Sequence, residues 1–122
     1  MPAGHLNIAI RQHDDRASIV NVDGTIDAST VLELKAAFAE ILSHGTRHIV
    51  ANLRRVEAID RAGLAALLGS QLKIHQQHGT LRIVSVPSPL RRVLDDTQVS
   101  KVLDIYPSQR QALEALRGDL LF

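Results

Sequence analysis

Apolar and polar residues alternate at the start of the chain. Leu6, Ile8 and Ile10 interleave with Asn7, Ala9 and Arg11, the period of a half-buried strand. A polar stretch over 12–16 leads into a second apolar run, 17–23, and together they predict a hairpin. Gly24 is expected to end the second strand. From 29 to 43 the period becomes helical, with Val31, Leu34, Phe38, Ile41 and Leu42 on one face. Asp27 or Ser29 is expected to cap that helix, and Gly45 to stop it. Residues 47–53 read as a buried strand, followed by a short loop over 56–59. Asp60 is the expected cap of a second helix, with Leu64, Leu67, Leu68 and Leu72 inward and Gly79 at its end.

The run 80–86, rich in Ile and Val, predicts another strand. Ser88 followed by Pro89 sets a capping residue before proline at the first helical position. A short helix is expected there, with Leu90, Val93 and Leu94 on its core side. Residues 102–106 predict a late strand. Ser108-Gln109-Arg110-Gln111 matches a capping box for a final helix buried through Leu113 and Leu116. The order ββαβαβαβα implies an α/β fold with a mixed sheet: an antiparallel opening hairpin, then parallel strands joined by crossover helices. No linker or repeat divides the chain, so one domain over 1–122 is expected.

Composition mainly excludes. In 122 residues, 14 Lys and Arg against 13 Asp and Glu leave a net charge of +1, too little to suggest a nucleic-acid partner. Aromatics at 2% argue against base or sugar stacking. With no cysteine, disulfides, thiolate metal sites and a cysteine nucleophile are ruled out. The N-terminus has no basic segment followed by an apolar run. The longest near-apolar stretch, 62–69, falls far short of the roughly 20 residues that span a bilayer. A cytoplasmic location without membrane insertion is therefore expected.

Catalytic signals are few. His75 and His78 stand three apart on a predicted helix, but no third ligand lies at metal spacing, so solvent-exposed histidines near a helix end are expected. Asp14-Asp15 and Asp95-Asp96 are neighbours whose side chains diverge, which fits solvated charge better than an acid–base pair. Phosphate-cradling glycine loops and a nucleophile elbow are missing. The chain is expected to have no enzymatic activity, catalytic residue, cofactor or resident metal.

One segment carries more, Val56-Glu57-Ala58-Ile59-Asp60-Arg61-Ala62-Gly63-Leu64 and the apolar residues after it. The backbone N–H groups of a helix start at Asp60 create a positive local field. A hydroxyl placed there would make a phosphorylation switch. On the residues alone, an ordinary cap followed by a core-facing stripe explains the pattern better.

With Gly24-Thr25-Ile26-Asp27 upstream and Gly79-Thr80-Leu81-Arg82-Ile83-Val84 downstream, the segment resembles the STAS domain, and within it the small bacterial anti-sigma factor antagonists. The resemblance runs over about 6–117 and implies a regulator that binds proteins. In that family the antagonist binds an anti-sigma factor that is also a serine kinase, and phosphorylation of a Ser or Thr after the loop Asp releases it. Here the family's Asp-Ser-Ser-Gly or Asp-Ser-Thr-Gly reads Asp60-Arg61-Ala62-Gly63. Arg61 stands at the phosphoacceptor position, and neither it nor Ala62 offers a hydroxyl. The implied partner surface is Thr25, Asp27, Asp60, Arg61, Ala62, Gly63 and Leu64, with the exposed face of the following helix. Arg61 could instead be structural, paired with Asp60 or Glu57. The implied partner is an anti-sigma factor with serine kinase activity or a related STAS-binding protein, and the chain a monomer or weak homodimer. Two alternatives stay open: a STAS subunit of an ABC-type lipid transporter or signalling scaffold, and an enzyme or ligand binder using His75 and His78 or the Asp60 turn.

Overall fold

Asp14 makes the first turn of the chain. Its Oδ1 accepts the N–H groups of Arg16 at 2.8 Å and Ala17 at 2.9 Å. The Arg16 N–H holds this carboxyl below its ordinary value, the nearby His13 and Arg16 charges adding to the effect. The turn joins β1 (Leu6–Gln12) to β2 (Ala17–Ile26), antiparallel and in unbroken register from Leu6 opposite Gly24 to Gln12 opposite Ser18. The computed structural model describes residues 5–84, 91, 92, 95, 98 and 102–119.

The chain continues through α1 (Val31–Ser43), β3 (His48–Ile59), α2 (Arg61–Gln76), β4 (Thr80–Val84), β5 (Ile105–Tyr106) and α3 (Gln109–Asp119). The strands form one mixed α/β sheet in the spatial order β1-β2-β3-β4-β5, with β2 to β5 parallel. Both crossovers, β2–α1–β3 and β3–α2–β4, step the same way across the sheet. Right-handed connections therefore set α1 and α2 on one face. Leu34, Phe38 and Ile41 of α1 and Leu64, Leu67 and Ile74 of α2 share a core with Val20, Val22, Ile49, Ala51, Leu53, Leu81 and Ile83. The alternate strand residues Ile19, Val50 and Val84 pack with Ala112 and Leu113 of α3 on the opposite face. The central strands are thus apolar on both sides, as parallel strands covered by helices require.

Several expected boundaries move. Gly24 does not end β2: the strand runs on to Ile26, and Gly24 sits at a register shift against β3 with φ at +114°. Its bare Cα lets the carbonyl of His5 approach closer than any side chain would permit. The expected loop over 56–59 is strand, because the same shifts keep β3 paired with β2 as far as Ile59. The cap of α1 is Thr30, not Asp27 or Ser29, since Asp27 uses its carboxylate on the turn before the helix. Gly45 ends α1 as expected, with φ at +91° and its N–H on the carbonyl of Leu42.

Leu72 is 59% exposed rather than inward, and Leu68 is half-buried. The buried stripe of α2 passes instead through Gly63, Leu64, Ala66, Leu67, Ser70 and Ile74. The late strand contracts to Ile105–Tyr106. Ser108 caps the last helix through its hydroxyl, which accepts the Gln111 N–H at 3.2 Å. Residues 85–90 lie outside the described residues. So do Leu90, Val93 and Leu94 of the short helix expected after Pro89, of which Arg91, Arg92 and Asp95 are described and helical.

The end of α2 divides a task between two residues. His78 takes the left-handed conformation, with φ at 65°, and Gly79 donates its N–H to Ile74 at 2.9 Å. Gly79 is required for another reason. Its Cα presses on the carbonyl of Arg47, so that a Cβ would overlap the oxygen. Gly69, in the middle of α2, has nothing within 4 Å of the place a Cβ would take.

Two alanine substitutions should therefore have opposite signs. Gly79→Ala should lower stability by about 1–3 kcal/mol, the range of an overpacked site. Gly69→Ala should raise it by up to about 1 kcal/mol through helix propensity alone. Thermal melts of the two variants check both, and equal effects would contradict the geometry.

Candidate functional site

Because β2 and β3 are parallel neighbours, both finish at the same edge of the sheet. Thr25 lies opposite Ala58, and Ile26 opposite Ile59. Clefts outside the carboxyl ends of parallel strands are where α/β sheets present loops to partners. Here the segment after β2 and the turn after β3 are bound to each other. The N–H of Asp60 donates to the carbonyl of Ile26 at 3.2 Å. Gly63 lies so close to the same carbonyl that a Cβ would stand 2.5 Å from its oxygen and 2.6 Å from Cγ1 of Ile59. Glycine at 63 is thus a condition for the two segments to touch.

Asp60 starts α2 as the sequence predicts. Its backbone is extended, and its Oδ1 accepts the N–H of Gly63 at 2.9 Å while its carbonyl accepts that of Leu64 at 2.9 Å. Arg61 takes the first helical position and is exposed. It forms no ion pair among the described residues, so neither Asp60 nor Glu57 neutralises it. A cation at the positive end of a helix costs a few tenths of a kcal/mol to about 1 kcal/mol. No ion pair among the described residues offsets that cost.

The segment after β2 is organised by Asp27 and Thr30. Asp27 Oδ1 accepts from Ser29 twice, the hydroxyl at 2.6 Å and the N–H at 2.9 Å. Buried Thr30 donates its hydroxyl to the carbonyl of Thr25 at 2.8 Å and accepts the N–H of Asp27 at 2.9 Å. Hydrogen bonding, above all from the Ser29 hydroxyl, holds the Asp27 carboxyl below its ordinary value. The result is a fixed anionic loop beside a cationic helix start.

The seven residues expected to form the surface do converge, but not all as surface. Thr25, Asp27 and Ala62 are half-buried, Asp60 and Arg61 are exposed, and Gly63 and Leu64 are buried and shape the turn from within. Arg61, Ala65, Leu68 and Leu72 follow one another at i, i+4, i+7 and i+11, which places them on one side of α2. That side is exposed or half-exposed and mostly apolar beyond the arginine. Ser29 and Thr30 were not among the expected site residues. Thr30 is legible in hindsight as a hydroxyl three places after an Asp, the spacing of a side-chain-closed turn.

His75 and His78 are both exposed. Among the described residues no three His, Asp or Glu side chains gather where they could hold a metal ion. No helix among them is long and apolar enough to cross a membrane.

Comparison with known proteins places this arrangement. The family model described as the STAS domain matches residues 7–112. The chain is 28% identical over 113 residues to an anti-sigma F factor antagonist of Paenibacillus polymyxa, covering 91% of this chain and 97% of that protein. It is 30% identical over 101 residues to an anti-sigma-B factor antagonist of Staphylococcus epidermidis, covering 83% and 93%. The crystal structure of an anti-sigma factor antagonist from Mycobacterium paratuberculosis superposes with a TM-score of 0.80 at 27% identity, over 93% of this chain and 95% of that one.

The loop geometry sets a pH dependence. The Asp27 carboxyl is lowered in the folded state, so its contribution to stability is present above the unfolded value and is lost as pH falls through the folded one. Ser29→Ala should raise the Asp27 titration midpoint toward the ordinary carboxylate value, read by carboxyl NMR. An unchanged midpoint would contradict the assigned cause. Asp60→Ala should lower stability by about 1 kcal/mol, the usual cost of a lost cap.

Proposed function

The chain belongs to the STAS domain family, and we propose that it is a non-enzymatic, protein-binding regulator of the kind its relatives are named for. It docks in the cytoplasm on an anti-sigma factor with serine kinase activity and so acts on transcription by partner switching. The docking surface is the segment from Thr25 to Thr30, the turn over 60–64 and the Arg61–Leu72 side of α2.

One observation carries this reading: the exposed Arg61 guanidinium at the start of α2, set against the dipole and without an ion pair among the described residues. A charge that disfavours its own helix and neutralises nothing nearby has a use when a partner supplies the counter-charge. The mostly apolar side of α2 behind it provides contact area, and the bonded loop and turn provide a rigid frame. Preorganisation of that sort lowers the ordering cost of association.

Regulation differs from that of relatives with a switchable hydroxyl. Arg61 stands at the phosphoacceptor position and Ala62 beside it, so no dianion forms at this turn. Ser70, further along α2, is buried at 8% exposure and is not presented to a kinase. The protein therefore acts as an antagonist that is not released by phosphorylation of this turn.

Titration calorimetry of the full chain with its kinase-type anti-sigma factor tests the surface. Arg61→Glu should weaken binding at least about tenfold, or about 1.4 kcal/mol. Its melting temperature should hold or rise slightly, since a carboxylate suits a helix start. Incubation with ATP and the same kinase should leave the turn without phosphate. Unchanged affinity in the variant, a large loss of thermal stability, or copurification of the chain with a membrane permease and ATPase in place of the kinase would overturn the reading.

A further inference from the structure

The geometry points to a second copy of this chain as the partner of the outer edge of β1. Among the described residues β1 pairs with β2 alone, and no strand lies on its other side. Which backbone groups face outward follows from the hydrogen bonds at the two ends of the hairpin. Thr25 donates its N–H to His5 at 2.8 Å, and His13 donates to Ala17 at 2.9 Å. The register between these points is unbroken. Odd-numbered residues of β1 therefore bond to β2, and Leu6, Ile8, Ile10 and Gln12 turn their N–H and C=O groups away from it.

Exposed edges are ordinarily blunted by lysine, proline, a bulge or short length. This one has seven residues, no proline, no register shift and a single charge, Arg11. It is also self-complementary. Two antiparallel copies that overlap along the whole strand share a two-fold axis at Ala9. In that register Ile8 meets Ile10 of the other copy and Leu6 meets Gln12, all through the outward-facing backbone groups. Ala9 meets Ala9 in a non-hydrogen-bonded pair, where Cα atoms approach to about 4.5 Å and the smallest side chain fits best. Asn7 faces Arg11, so no like charges are opposed.

The side chains support the same partner. Ile10 is 42% exposed, whereas Ile8, on the same face, packs against the main core. In the paired form each Ile10 is covered by Ile8 of the other copy, and the sheet continues from one copy into the next. The interface is isologous and closed, so it stops at two copies. It uses the outer backbone edge of β1 and none of the residues of the Asp60 turn, and it stands or falls independently of the partner assigned to that turn.

Because the chain has no cysteine, single-cysteine variants of the full protein report the register directly. Oxidation should link Ala9→Cys into a covalent dimer, its Cα spacing across the axis being within disulfide range, at least about tenfold faster than Asn7→Cys. Sedimentation of the wild type should shift from one copy to two as concentration rises, and Ile10→Lys should remain a single copy throughout. A wild type that stays a single copy at every concentration, or an Asn7→Cys variant that links as fast as Ala9→Cys, would overturn the proposal.

Discussion

The carbonyl of Ile26 is the point on which the functional end of the molecule depends. It accepts the N–H of Asp60 and lies against the bare Cα of Gly63, so the last residue of β2 is held to the first turn of α2. Everything near it follows from that contact. The start of α2 cannot move away from the Thr25–Thr30 segment without leaving a buried carbonyl unpaired, which costs about 1–3 kcal/mol. The register shifts between β2 and β3 bring Ile26 level with Ile59 and so put the carbonyl in reach. A fold that spends a bulge, a glycine and a buried threonine on fixing two loops has made a rigid surface there.

On that surface two carboxylates serve the fold and one cation does not. Asp27 is satisfied internally through one oxygen, and Asp60 is committed to its helix. Arg61 remains, opposed by the helix dipole and exposed to solvent. The chain as a whole carries only +1, so long-range steering is weak and recognition falls to contacts within a few ångströms of this turn. A dianion added at such a place would reverse the local field. An arginine fixes the field in one sign, in keeping with the unswitched surface proposed above.

Much of this was legible in the residue pattern, and the failures have physical causes. The first strand, the helical face of Leu34, Phe38 and Ile41, and the Asp60 cap all rest on local periodicity and capping and appear where expected, although Ile10 in that strand is exposed. Gly24 misled because glycine marks strand ends and bulges alike, and only the neighbouring strand decides which. The extension of β3 to Ile59 depends on pairing with β2, a long-range fact absent from any short window. Leu72 looks inward by residue type, yet lies on the opposite side of α2 from Leu67 and Ile74. The apolar stripe along that side was hidden for the same reason. Thr30 was missed because a buried hydroxyl that ties two segments together resembles an ordinary loop residue until its partners are known.

Whether the two turns locked by Ile26 act as one docking surface is a question of which amides respond to a partner. It is tested most directly by backbone amide NMR of the full chain during addition of the kinase-type anti-sigma factor. Perturbations should concentrate at Gly24 to Thr30 and Asp60 to Ala65, extending along α2 to Leu68 and Leu72. Perturbations confined to the open face of the sheet around Asn21, Asn52 and Arg54, with the Asp60 turn unaffected, would contradict it.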